Sequence, residues 1–88
     1  MSDMTMRPGH LAKRSFTLAG HRTSVALEPE FWAALEGVAN RRGTGLSRLV
    51  ASVDADRVDD TRPLASALRV LALTEAVAAQ QDGRMVQN

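Results

Sequence analysis

The sequence predicts a mostly α-helical domain that begins with a short β-ribbon and ends with an extra C-terminal helix. Three observations support this: alternating runs at residues 13–18 and 22–27, an amphipathic segment that starts at Pro29, and a Leu-, Ala- and Val-rich segment after Pro63. The 88 residues are enough for one domain. A chain this short buries a modest share of its surface, which favours self-association.

The run from Arg22 to Leu27 has the two-residue period of a strand. Thr23, Val25 and Leu27 point to one side, and Arg22, Ser24 and Ala26 to the other. One strand cannot bury a face alone, so we expect two copies to pair antiparallel into a ribbon whose width suits the DNA major groove. The run from residue 13 to residue 18 alternates too, and Ala19-Gly20 separates the runs. One kinked strand and a tight hairpin both fit this pattern.

Two helices are predicted after the ribbon. Pro29 suits a first helical position, and Arg41-Arg42-Gly43 suits a helix end, with cations in the last turn and a glycine for a left-handed conformation. Thr44 to Ser47 then reads as a turn, with Ser47 preferred over Thr44 as the N-cap of the second helix. The apolar residues at helical spacing, expected to form the core, are Phe31, Trp32, Leu35, Val38, Leu49, Val50 and Val53.

The segment 59–80 is predicted to be a third helix with two apolar stripes. One stripe is Leu64, Leu68 and Leu71, and the other is Val70, Leu73 and Val77. A surface helix needs only one apolar stripe, so the surplus predicts an oligomerisation helix. We expect the ribbon and the first two helices to span residues 13–58, with flexible tails at 1–12 and 81–88.

Composition argues against several classes of function. The chain has no cysteine, and His10 and His21 are too few to predict a metal site. The acidic run with Asp54, Asp56, Asp59 and Asp60 lacks the glycine and the glutamate of a calcium loop. We therefore expect no metal, cofactor or catalytic residues. The absence of an 18-residue apolar run predicts a soluble, cytoplasmic protein without membrane contact.

Charge is uneven along the chain, although the net charge is only +1. Residues 1–49 carry seven Arg and Lys against four acids, whereas residues 50–88 carry four against six. This polarity would let the N-terminal half face phosphates, but ordinary surface scatter explains it equally well.

The order of strand, Pro-started helix, Arg-Arg-Gly and a second helix opened by Gly45-Leu46-Ser47 resembles the ribbon-helix-helix family of bacterial DNA-binding proteins. The resemblance covers residues 13–53. It implies an intertwined homodimer whose paired strands enter the major groove, with the second helix's N-terminus on a phosphate. Members of that family are mostly transcriptional repressors or antitoxins.

By position, the resemblance assigns base contacts to Arg22, Ser24 and Ala26. It assigns phosphate contacts to Ser47, Arg48 and Leu49, and we add the neighbouring cations Lys13 and Arg14. The core residues given above, together with Val25 and Leu27, would form the dimer core.

The function expected is sequence-specific DNA binding by a dimeric regulator. The alternative is an interaction or assembly module on the same dimer, holding a protein partner without reading DNA. The apolar third helix and the weak net charge favour this alternative.

Overall fold

Two strands and three helices make up the structure, a computed structural model that describes residues 10–57 and 61–86, with side chains described through Gln80. The strands are β1 (Ala12–Leu18) and β2 (His21–Leu27). The helices are α1 (Pro29–Arg41), α2 (Leu46–Asp56) and α3 (Leu64–Val86). The predicted fold class, a short N-terminal ribbon followed by helices with an extra one at the C-terminus, is confirmed.

β1 and β2 form an antiparallel hairpin within one chain. The register runs from Ala12 opposite Leu27 to Leu18 opposite His21. Ala19 and Gly20 connect the strands with φ values of 52° and 83°. Positive φ at both residues of a two-residue loop defines a type I′ turn, whose twist matches that of the strands. The structure thus selects the hairpin over the single kinked strand.

The ends of α1 follow the local sequence. Glu28 is the N-cap in an extended conformation and Pro29 is the first helical residue, where its missing N–H costs nothing. At the other end Gly43 has φ 69°, and the N–H of Thr44 donates to the Ala39 carbonyl at 2.9 Å. The Gly43 N–H donates to the Asn40 carbonyl at 3.0 Å, which completes a Schellman motif.

The start of α2 differs from the expectation that Ser47 is its cap. Gly45 is the N-cap and makes no side-chain capping bond, so Ser47 lies inside the first turn. The reason is that the helix begins two residues earlier, immediately after the Schellman turn. Its first N–H groups consequently have no side chain bound to them at the cap.

α3 corrects two expectations about the C-terminal segment. Leu64 and Leu68 are buried in the chain's own core and have no surface for an oligomer interface, while Leu71 packs against the same core with only part of its side chain exposed. The helix packs on α1, α2 and β2 and is therefore part of the same domain. It also continues past residue 80 to Val86, through the stretch expected to be a flexible tail. Residues 1–9, 58–60, 87 and 88 lie outside the described residues.

One core joins the hairpin to all three helices. Of the residues predicted for the dimer core, seven are buried and Phe31 and Val53 are partly buried, all within a single chain. Trp32 is 1% exposed, and its indole N–H donates to the Ala12 carbonyl at 2.8 Å, which ties α1 to the start of β1. The buried apolar residues are Phe16, Leu18, Val25, Leu27, Trp32, Leu35, Val38, Ala39, Leu49, Val50, Leu64, Leu68 and Ala72.

Candidate nucleic-acid interface

The hairpin turns one polar surface away from the helices, which we call the outward face. Its six side chains come from alternate positions of both strands and form three cross-strand pairs. All are exposed except the partly buried Ala26. They are Lys13 opposite Ala26, Ser15 opposite Ser24 and Thr17 opposite Arg22.

Hydrogen bonds link two of these three pairs. The Ser15 and Ser24 hydroxyl oxygens are 3.2 Å apart, and Arg22 Nη1 donates to Thr17 Oγ1 at 3.0 Å. The second bond holds the guanidinium over the neighbouring strand and leaves its other N–H donors available. Both bonds form within a single chain and need no ligand.

Arg14 lies on the opposite, helix-facing side of β1, in line with Phe16 and Leu18. Its guanidinium carbon sits 5.0 Å from the Trp32 ring centroid, and its Nη1 lies 2.7 Å from Glu36 Oε2. The cation-π contact and the ion pair place Arg14 at the hairpin–α1 junction. The structure thus does not bring Arg14 to the outward face beside Lys13.

Each strand of the hairpin has one unpaired edge, since the sheet has only two strands among the described residues. The pair that closes a two-residue turn, here Leu18 and His21, is hydrogen-bonded, and the pairs then alternate. The backbone N–H and C=O groups of Arg22, Ser24 and Ala26 accordingly point away from β1. The open edge of β2 can pair with another strand.

The N-terminus of α2 offers a second group of donors. Ser47 and Arg48 lie in its first turn, are exposed, and have N–H groups without an intrahelical acceptor. Leu49 differs, because its N–H donates to the Gly45 carbonyl at 3.1 Å and its side chain is buried. Leu49 is thus a core residue, and its predicted phosphate contact is not supported by this geometry.

Electrostatics favour an anionic ligand at the hairpin. No aspartate or glutamate occurs between residues 12 and 27, where Lys13, Arg14 and Arg22 are the cations. Lys13 and Arg22 form no ion pair among the described residues. Several other arginines are bound to carboxylates within the chain, as in the pairs Arg42–Glu75, Arg57–Asp54 and Arg69–Glu28.

The Arg69–Glu28 pair fixes the junction between β2 and α1. Arg69 Nε and Nη2 lie 3.0 and 2.9 Å from Glu28 Oε1, and the guanidinium carbon is 5.7 Å from the Phe31 ring centroid. A hydrogen bond from the backbone N–H of Glu28 and the contact with Arg69 lower the pKa of this carboxyl. The pair links α3 to the residue at which the hairpin becomes a helix.

Over residues 10–57 and 61–80, whose side chains the structure describes, no group of three or more His, Cys, Asp or Glu side chains could hold a metal ion, while Asp59 and Asp60 lie outside those ranges. Within the described part of the chain no helix is long and apolar enough to cross a membrane.

Comparisons with known proteins give one family and one solved structure. A family model described as a ribbon-helix-helix domain matches residues 11–76, which span β1 through most of α3. This chain belongs to the ribbon-helix-helix family. That family consists of DNA-binding regulators whose members generally dimerise, and its fold is non-enzymatic.

A solved structure of an uncharacterized protein from Bordetella pertussis Tohama I is similar to this ribbon-helix-helix chain. It is 32% identical, with a TM-score of 0.74, and the match covers 96% of this chain and 72% of that one. The curated proteins contain no match.

Ser15 and Thr17 are the outward-facing residues of this ribbon-helix-helix protein that were not among the predicted contacts. Both alternate with Phe16 and Leu18, so the strand pattern already contained their orientation. The sequence did not show that β1 pairs with β2, and this pairing places Ser15 beside Ser24 and Thr17 beside Arg22.

Proposed function

We propose that this protein is a homodimeric transcriptional regulator, of the repressor type, that binds specific sequences of double-stranded DNA with its β-ribbon in the major groove. The observation that supports it most is the outward face, which is exposed and polar apart from Ala26, free of carboxylates and hydrogen-bonded across the strands. Such a regulator would act in the cytoplasm, where bacterial DNA lies.

The three β2 residues of the outward face are proposed to contact bases. The guanidinium of Arg22 can bond a guanine through O6 and N7, and the hydroxyl of Ser24 can donate to or accept from either kind of base edge. Ala26 has only a methyl group to offer, which suits the methyl group of thymine. The proposed base contacts along β2 thus run from a bidentate contact at Arg22, through a hydroxyl contact at Ser24, to a methyl contact at Ala26.

Ser47 and Arg48 are proposed to contact a backbone phosphate through the N-terminus of α2. Unpaired N–H groups at a helix N-terminus attract anions, and no side chain competes for them at the Gly45 cap. Contacts of this kind fix the position of a protein on DNA without reading sequence.

The proposed dimer forms through the open edge of β2. A two-fold axis at Ser24 would set Ser24 of the two copies opposite each other and Arg22 opposite Ala26 of the second copy. All three outward-pointing backbone groups would then pair, and the two Arg22 side chains would not face each other. The sheet would have the order β1-β2-β2-β1, with the outward faces of both copies on one side.

The test is a titration of the full chain, at fixed salt, with a duplex selected from a random pool by the wild-type protein. We expect Arg22→Ala to weaken binding to this duplex by about 1 to 3 kcal/mol per protomer, with little change for a scrambled duplex, because each copy in the dimer loses one bidentate base contact. Arg62→Ala, which removes an exposed arginine outside the hairpin and leaves the outward face unchanged, is the matched control. Equal affinity of wild type and Arg22→Ala for the selected duplex would contradict the assignment.

A second candidate function, assembly or protein-partner binding, is favoured by one specific observation. Val70, Leu73 and Val77 form a line on α3, which we call the α3 stripe, and are 44%, 63% and 49% exposed. The stripe consists of uncharged residues, and the nearby charged residues Arg69 and Glu75 are paired within the chain. We propose it as the oligomer or partner surface in place of Leu64, Leu68 and Leu71.

A further inference from the structure

β1 gives each chain a second strand beside the one that the proposed dimer would place in the groove. Its outward side chains are Lys13, Ser15 and Thr17, all exposed. They are one cation and two hydroxyls, the side-chain groups that contact phosphate oxygens in protein–DNA complexes.

The width of the proposed sheet decides where β1 can lie. Strands are spaced about 4.8 Å apart, so the outer strands of a four-stranded sheet have axes about 14 Å apart. The major groove of B-DNA is about 12 Å wide. The two central strands fit between the phosphate backbones, whereas the outer two extend over the rims of the groove.

Resting on the proposed function, we infer that β1 is a phosphate-binding strand: β2 enters the groove, and Lys13, Ser15 and Thr17 lie along the flanking phosphates. The cross-strand pairs define the arrangement. In the proposed sheet, Ala26 lies between Lys13 and the second copy, and Arg22 lies between Thr17 and the second copy. Each rim of the groove therefore meets one Lys13 and one Thr17.

The hydrogen bond between Thr17 and Arg22 connects the proposed phosphate contact of β1 with the proposed base contact of β2. Arg22 Nη1 donates to Thr17 Oγ1 at 3.0 Å, so the hydroxyl that faces the rim also restrains the proposed base-reading side chain. A threonine hydroxyl can accept this bond and donate its own hydrogen to a phosphate at the same time.

The test compares Lys13→Ala with wild type on the selected duplex and its scrambled version over a range of salt concentrations. We expect affinity to fall by the same factor on both duplexes. The magnitude of the slope of log K against log salt should fall by about 2 for a dimer, since each phosphate contact contributes about 0.9. Arg62→Ala, an exposed cation outside the hairpin, is the control for loss of one charge and should keep the wild-type slope.

Each other outcome has a distinct meaning. An unchanged slope in Lys13→Ala, with wild type binding normally, overturns the phosphate role of β1 alone. Loss of affinity for the selected duplex only would place β1 in the groove and also overturn it. Wild-type protein that binds neither duplex overturns the proposed function and this inference with it.

Discussion

At the scale of single residues, position within a strand decides what a cation does. Arg14 and Lys13 are neighbours in sequence, yet Arg14 packs on Trp32 and pairs with Glu36, whereas Lys13 lies on the exposed outward face. The alternating pattern already placed Arg14 on the same side as Phe16. The phosphate contact was predicted for Arg14 from its charge alone. Its partner Glu36 is 22 residues away in sequence, so the strand pattern could not reveal the ion pair.

The ion pair between Glu28 and Arg69 predicts that the stability of the fold depends on pH. Its backbone N–H hydrogen bond and Arg69 lower the pKa of Glu28 in the folded protein. A carboxyl with a lowered pKa stabilises the fold above its unfolded pKa, and that contribution is lost as pH falls through the folded pKa. We expect the free energy of unfolding to decrease on acidification below the ordinary glutamate range, and Glu28→Gln to show a weaker decrease.

Denaturant titrations at several pH values measure this effect. Glu30→Gln removes the same charge from the same end of α1 but leaves the contact between Glu28 and Arg69, and is the matched control. Identical pH dependence in wild type and Glu28→Gln would show that the pair makes no difference to stability.

At the scale of elements, the two ends of α1 were the most predictable part. Pro29 and Gly43 have local effects on the backbone, so their meaning does not depend on distant residues. The hairpin was not decidable in the same way, because Ala-Gly is a weaker turn signal than Asn-Gly. The length of α3 was also missed, since a polar composition at its end resembles that of a tail.

The exposed α3 stripe can be tested with a single substitution. Leu73 is 63% exposed at the centre of the α3 stripe, so Leu73→Glu should leave the fold intact and reduce any assembly that uses this surface. Light scattering on the full chain measures the mass, with Ala79→Glu as a control that adds the same charge at an exposed position on another side of the helix. A mass unchanged by Leu73→Glu would exclude the stripe as an oligomer surface.

At the scale of the whole molecule, one chain already contains a complete core and a two-stranded ribbon. The family resemblance implied a ribbon built from two chains, whereas here the first pairing is intramolecular. The sequence could not specify which strand edge remains for a second copy. That choice depends on the register, which places the free backbone groups of β2 at Arg22, Ser24 and Ala26.

A disulfide experiment can identify the dimer edge, because the chain has no native cysteine. We expect Ser24→Cys to form an intermolecular disulfide on mild oxidation, since the two Ser24 positions would face each other across the axis. Ser15→Cys is the matched control: it lies on the same face, opposite Ser24 in the hairpin, but about 14 Å from its counterpart in the proposed sheet.

Gel electrophoresis without reductant reads the result. Cross-linking of Ser15→Cys instead of Ser24→Cys would show that β1 forms the interface. If neither variant cross-links while the protein is dimeric in solution, the copies meet through a surface other than the sheet.

Trp32 gives the molecule a built-in optical reporter. It is the sole tryptophan, it is 1% exposed, and it contacts the hairpin through Ala12, Phe16 and Arg14. Its fluorescence therefore reports on whether the hairpin is seated on α1. Undocking of the ribbon, during unfolding or on contact with a ligand, should shift the emission of this indole without any attached dye.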